Sequence, residues 1–226
     1  MWHRRIALAL GILAVALLVF SGLGVQAGLW PFRFGFGMFA GALVAGLAAA
    51  GTAAVALLVP RLRAGPKRTL VIALVLGIGA AALPLEHIRR VKTLPYINDI
   101  STDARTPPQF SQPLEYPSHF AELQAIGYPG LRPLEVVATP AQAFVRARTL
   151  ASEQRGWEIV AADENAGRIE AIATTTWFGF KDDIVIRITP AASGSRIDMR
   201  SRSRVGRSDL GANARRIEAF LARLRG

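Results

Sequence analysis

Alternating arginines and carboxylates crowd three stretches near the end of the chain, and these residue types are well suited to holding anions. Arg168 and Glu170 lie two apart, as do Asp198, Arg200, Arg202 and Arg204 in succession, with Asp183 and Arg187 between the two groups. A planar guanidinium donates in a fork that fits a carboxylate or phosphate bidentately. In an extended chain this spacing places the charges on one face of a sheet. Two uses of that face stay open. One is a cross-strand ion-pair lattice, contributing roughly 0.2–1 kcal/mol per pair. The other is a cleft whose arginines take an anionic ligand.

The loop Val205-Gly206-Arg207-Ser208 then leads into a helix. Free amides and the positive end of a helix favour an anion there, although Ser208 or Asp209 could equally cap it. Asp209, Asn213 and Arg216 follow at helical spacing along one edge of the apolar stripe, where they clamp helix to strand or extend a binding strip. The candidate ligand-binding residues are therefore Arg187, Arg200, Arg204, Arg207, Asn213 and Arg216. Position divides the arginines. Arg187 and Arg200 sit mid-sheet between carboxylates and are expected to be structural. Arg204 and Arg207 flank the glycine loop and are expected to face the ligand.

Catalysis has little support. Asp182 and Asp183 are adjacent on a strand, so they point to opposite faces and form no dyad. Glu170, Asp183 and Asp198 are the carboxylates a hydrolase would use, but neighbouring arginines would keep them ionised and poor as acids. The chain has no cysteine, hence no disulfide, thiolate ligand or thiol nucleophile. His119 stands alone, with no partner at ligand spacing. No catalytic residue, metal site or cofactor is implied.

The elements that must position these charges are readable. Thr139-Pro140-Ala141-Gln142 combines a capping box with proline at the first helical position, so a helix should run from there to about Arg155 and end at Gly156. Four strands follow: Trp157 to Ala162, Arg168 to Thr176, a third carrying Ile184, Ile186 and Ile188 on one face, and a fourth carrying Ile197 and Met199. Short turns and period-two patterning predict an antiparallel meander. Leu210, Ala214, Ile217, Leu221 and Leu224 form the stripe of a final helix. Trp177, Phe178 and Phe180 on a turn suit contact with protein or lipid, unless they are covered.

Ahead of this core, eight of the thirteen prolines lie between Pro95 and Pro140. Proline lacks the amide donor, so an extended strap is expected over residues 93–139, with a helical turn near His119 to Gln124. Ile97, Ile100, Phe110, Tyr116 and Leu131 among its apolar residues argue that it lies on the domain as part of the fold.

Residues 1–92 differ in kind. Runs of about 6–25, 37–59 and 69–85 carry no charge and predict three transmembrane helices. Gly37 and Gly41 form a GxxxG pair of the sort that lets helices approach, and Trp30, Phe32, Phe34, Phe36 and Phe39 suit the headgroup level. Ten basic residues against Glu86 leave +9 of the total +11 here, and seventeen against fifteen leave +2 in residues 93–226. A near-balanced domain argues against nucleic acid. Arg4, Arg5, Arg61, Arg63, Lys67 and Arg68 on one side outnumber Arg33, Arg89, Arg90 and Lys92 on the other. The N-terminus is therefore expected in the cytoplasm and the C-terminal domain outside. The first span also resembles a signal peptide, with Val25-Gln26-Ala27 as a cleavage site, which leaves that orientation unchanged.

The blocks Asn98-Asp99-Ile100-Ser101-Thr102-Asp103 with Pro107-Pro108, Gly167-Arg168-Ile169-Glu170-Ala171, Phe178-Gly179-Phe180-Lys181-Asp182-Asp183, Arg200 to Gly206 and Ser208 to Asn213 resemble, in order, the family catalogued as domain of unknown function 1499. The resemblance runs from about Ile97 to Leu224. It implies a membrane-associated domain of bacteria and plastid-bearing organisms, and no activity.

The fold class expected is α+β: three transmembrane helices, then a four-stranded antiparallel meander packed on two helices. The expected function is a non-catalytic binding or scaffold module of the cell envelope. It would sit in the bacterial inner membrane with its domain exported, in contact with the bilayer and with an anionic lipid, a glycan or another membrane protein. A structural subunit of a membrane complex is the alternative, and a hydrolase is the weakest reading.

Overall fold

The computed structural model describes residues 2–62 and 66–225; Arg63, one of the basic residues used for orientation, lies outside them. Two compact units are present, Met1–Lys92 with Trp177–Gly179, and Thr93–Thr176 with Phe180–Gly226.

The first unit contains α1 (Trp2–Gln26), α2 (Phe32–Leu58) and α3 (Arg68–Thr93), each long and apolar enough to cross a membrane. At about 1.5 Å per residue, each exceeds the ~30 Å hydrocarbon thickness. α3 outruns its uncharged stretch. It carries Pro84 inside the helix and continues through Glu86, which pairs with Arg89 and Arg90 at 2.7 Å one turn on. Small residues bring the helices together. A Cβ on Gly46 would lie 2.7 Å from the Gly77 carbonyl oxygen, and one on Gly77 would lie 2.5 Å from that of Gly46. Of the GxxxG pair, a Cβ on Gly37 would meet nothing within 4 Å, whereas one on Gly41 would lie 3.4 Å from Leu17 of α1. Phe178 stacks on Phe36 with ring centroids 4.9 Å apart, so this aromatic is spent inside the unit.

The second unit is an α+β fold whose antiparallel sheet has six strands, not the four expected. Its elements are β1 (Asp99–Ser101), α4 (Ser118–Gly127), β2 (Leu134–Val136), α5 (Pro140–Ser152), β3 (Trp157–Asp163), β4 (Arg168–Thr174), β5 (Lys181–Ala191), β6 (Gly194–Ser203) and α6 (Ala212–Arg225). The meander β3 to β6 is as the periodicity predicts. The strap supplies the other two strands, both antiparallel to β6: β1 against Arg200–Arg202 and β2 against Ser195–Ile197. Three residues are too few to show a period. Between the two strands the strap forms a ten-residue helix rather than a single turn, starting just after Pro117 and stopping before Pro129.

The predicted capping box opens α5. Gln142 N donates to Thr139 Oγ1 at 3.3 Å, and Thr139 N donates to Gln142 Oε1 at 3.1 Å. Gly156 then takes φ 78°, a conformation open to glycine. α6 begins later than expected because Leu210 has φ 52° and lies outside the helix. Its buried stripe is Ala214, Ile217, Phe220, Leu221 and Leu224. The core joins this stripe and Phe144, Ala147 and Leu150 of α5 to the inward isoleucines of the sheet. Ile97, Ile100, Leu131 and Leu134 of the strap belong to the same core.

Candidate functional site

Strand register sorts the charges onto two faces. Ile169, Ile186 and Met199 align beneath the helices, as do Ala173, Asp182 and Ser203. On the outer face Glu170, Val185 and Arg200 align, flanked by a row of Arg168, Arg187 and Asp198 and a row of Ile172, Asp183 and Arg202.

The middle row is covered by the strap. Arg200 is 0% exposed. Its Nε and Nη2 donate to Asp99 Oδ1 and Oδ2 at 3.0 and 2.8 Å, and its remaining donors reach the carbonyls of Pro108, Leu114 and Glu115. Phe110 and Tyr116 lie over the guanidinium, centroids 5.2 and 5.4 Å away. Beside it, Glu170 accepts from the amide and hydroxyl of Ser111 at 2.7 and 2.5 Å and pairs with Arg168 at 3.2 Å. The side chains of this row are therefore fully committed to the fold.

One row away, Arg187 and Arg196 share two carboxylates. Both reach Asp198, at 3.0 and 3.1 Å, and both reach Asp103, at 3.3 and 3.1 Å. Arg187 also donates to the Thr106 carbonyl at 2.9 Å. Burial works to raise the Asp103 carboxyl. Hydrogen bonds from the Thr106 hydroxyl, the amides of Thr106 and Arg105, and the charge of Arg196 outweigh it and hold the group below its ordinary value.

At the far end of β6 the face is bare. Arg204 donates to Asp183 through Nε and Nη2, the closest bond 2.6 Å, and its side chain is 44% exposed. Arg207 is exposed and makes no side-chain hydrogen bond or ion pair among the described residues. The start of α6 is capped from within. Asp209 Oδ1 accepts from Gly211 N at 2.8 Å, and Oδ2 from Asn213 N at 2.9 Å. Burial pushes the Asp209 carboxyl up from its ordinary value, with the charge of Asp182 adding to that, against the pull of these amides. The helix start thus already holds a carboxylate.

Asn213 and Arg216 lie on the helix-facing side. Asn213 is fully buried. Its Nδ2 donates to the Asn98 carbonyl and Ser203 Oγ at 3.1 and 3.0 Å, and its Oδ1 accepts from Ser201 Oγ at 2.7 Å and from Arg216. Arg216 continues to Asp182 Oδ2 at 2.5 Å. Every polar group of this plug has a partner, which ties α6 to β5 and β6.

The six candidates therefore fall into separate places. Asn213 and Arg216 are under the helix, Arg200 is boxed in by the strap, Arg187 is in a four-membered ion cluster, and Arg204 and Arg207 are at the open loop. Sequence patterning did not reveal the partners Asp99, Asp103, Phe110 and Tyr116, because the strap that carries them has no periodicity. Glu170, Asp183 and Asp198 are each held by guanidinium groups in different rows. Among the described residues, no three histidine or acidic side chains cluster as metal ligands would.

These features define an α+β domain preceded by three helices long and apolar enough to cross a membrane. Residues 99–224 match the family model described as protein of unknown function DUF1499, and the chain belongs to that family. No curated protein and no solved structure matches it.

Proposed function

We propose that this protein is a non-catalytic binding module of the cell envelope, anchored in the inner membrane with its α+β domain on the extracytoplasmic side, and that an anionic ligand is taken at the Arg204–Arg207 loop. The observation that carries the reading is the contrast in commitment among the arginines. Arg187, Arg200 and Arg216 spend their charge on buried or half-buried carboxylates, whereas Arg207 stands at the surface without a counter-charge beside a largely exposed Arg204. Glu170, Asp183 and Asp198, the carboxylates a hydrolase would use, are each clamped by a guanidinium, which supports a non-catalytic reading. The basic flanks of α1 and of the loop between α2 and α3 support the orientation.

Two experiments test this. An export-dependent reporter fused to the C-terminus should be active and a cytoplasm-dependent one silent; the reverse overturns the orientation. In detergent, sulfate should raise the unfolding temperature of the full chain, and Arg204→Ala/Arg207→Ala should reduce the rise. An equal rise in the double variant removes this loop as the binding site.

A further inference from the structure

The strap leaves the β6 edge at Thr102 and returns to it at Leu134, so β1 and β2 lie end to end along one partner strand with α4 bulging between them. A groove of about 600 Å³ opens in the mouth of this excursion. Three arginines far apart in sequence line it: Arg105 from the outgoing arm, Arg132 from the returning arm and Arg196 from β6. Its apolar lining includes Ala121, the exposed Ala125 and the buried Leu131.

The positive charge of this groove is only partly compensated: Asp103, Asp198 and Glu135 act on Arg196, while Arg105 and Arg132 are left over. Arg105 and Arg132 are exposed, and neither side chain has a hydrogen bond or ion pair among the described residues. Arg196 reaches Asp103 and Asp198 through Nε and Nη2, leaving Nη1 unbonded among the described residues. Asp103 is the one carboxylate in the lining, and two guanidiniums and Thr106 already hold it. The C-terminal end of α4 adds about half a negative charge at one lip, less than the two free cations supply. Gln124 is largely spent on the fold, its Oε1 accepting from Ser101 N and the Tyr116 hydroxyl and its Nε2 donating to the Ser101 carbonyl. Forked donors from three directions suit a tetrahedral anion with several oxygens better than a single carboxylate. The small apolar lining suits a short hydrocarbon portion, and clefts of this size with a few polar groups among apolar ones are the usual form of ligand sites.

We propose that this groove binds a phosphate-bearing amphiphile, the phosphate held by Arg105, Arg132 and the free edge of Arg196, and the apolar portion lying on Ala121, Ala125 and Leu131. The proposal rests on the domain being a binding module but not on the Arg204–Arg207 loop, which is a separate place on the surface of β6 and its following turn. The ligand's source is either a lipid headgroup or a soluble phosphate ester, and both present the same chemistry to the arginines.

The test uses the full chain in a neutral detergent, with calorimetric titration of hexyl phosphate, inorganic phosphate and dihexanoyl phosphatidic acid. Hexyl phosphate should bind saturably, more tightly than inorganic phosphate, and more weakly as salt rises. Arg105→Glu and Arg132→Glu should each weaken it about tenfold or more, the scale of losing one charge-assisted hydrogen bond. Neither should lower the unfolding temperature, because neither side chain is bonded in the fold. Arg155→Glu, which reverses an exposed charge elsewhere, should leave binding unchanged. Tighter binding of dihexanoyl phosphatidic acid than of hexyl phosphate supports the groove with a lipid as source; equal binding supports it with a soluble ester.

No saturable binding by the wild type overturns the groove, as does wild-type affinity in both glutamate variants. Inorganic phosphate binding as tightly as hexyl phosphate overturns the apolar half. Loss of binding in Arg204→Ala/Arg207→Ala but not in the groove variants overturns the groove while leaving the module reading in place.

Discussion

Arg200 lies within β6 and Arg204 just past its end, four residues on, and each grips one aspartate bidentately. The bond to Asp183 is the shorter, 2.6 Å against 2.8 Å, yet the physics ranks the two the other way. Arg204 is 44% exposed, so water screens the pair and would solvate either partner if the other were lost. Arg200 and Asp99 are both at or near zero exposure, so each strands the other in a medium that cannot solvate a lone charge. What separates them is the cover. The strap lays Phe110, Tyr116 and three carbonyls over the middle of the outer face and leaves its end open. An arginine's role on this sheet is set by a segment some ninety residues upstream.

Removing the cover altogether should have the largest effect. A chain beginning at Thr139 loses β1, β2 and the apolar residues Ile97, Ile100, Leu131 and Leu134, and should show no cooperative thermal transition; one beginning at Thr93 should keep it. Next, Arg200→Ala should cost about 3–5 kcal/mol in denaturant unfolding, the range for breaking a buried pair. Arg200→Met with Asp99→Leu should recover part of that loss, since no charge is then left unpaired. Asn213→Ala should cost about 1–3 kcal/mol, because it leaves the hydroxyls of Ser201 and Ser203 and the Asn98 carbonyl short of partners.

The two shifted carboxylates should give opposite pH slopes. Asp103 is lowered, so its stabilising contribution is present above the ordinary carboxylate value of about 4 and is lost as pH falls through its own lower value. Asp209 is raised, so its contribution is full below that ordinary value and is lost as pH rises through its own higher one. The stability difference between wild type and Asp103→Asn should therefore grow with rising pH, and that between wild type and Asp209→Asn should shrink. Like slopes would mean that the burial and hydrogen bonding assigned to the two carboxyls do not govern their titration. The smallest effect belongs to Arg204→Ala, at most about 1 kcal/mol. A loss as large as that of Arg200→Ala would erase the distinction between the covered and bare ends.

Legibility followed periodicity and local chemistry. The capping box at Thr139, the left-handed Gly156, the inward isoleucines of β4 and β5 and the α6 stripe from Ala214 are all short-range signals, and all are in place. The face assignment of Arg200 and Arg204 was legible for the same reason, because parity alone decides it. The burial of Arg200 was not, since it depends on which distant segment lies over that face. β1 and β2 were invisible because three residues flanked by loops and prolines carry no pattern and gain strand character only from β6. Leu210 misled the stripe because a left-handed residue reads as helical spacing until the backbone is known. Arg105, Arg132 and Arg196 come from three segments, and nothing in their spacing brings them to one groove.

The pairing of the strap with β6 also sets a timetable. Asp99 and Arg200 are 101 positions apart in the chain, and β1 and β2 have no other strand to pair with. While the ribosome works through β3, β4 and β5, an aspartate destined for burial and a row of apolar side chains must wait in water. Long-range pairing of this kind slows folding, and the waiting segment is the one open to wrong partners. The strap can close onto the domain only once β6 has been made, and truncation anywhere within β6 should leave it unclaimed.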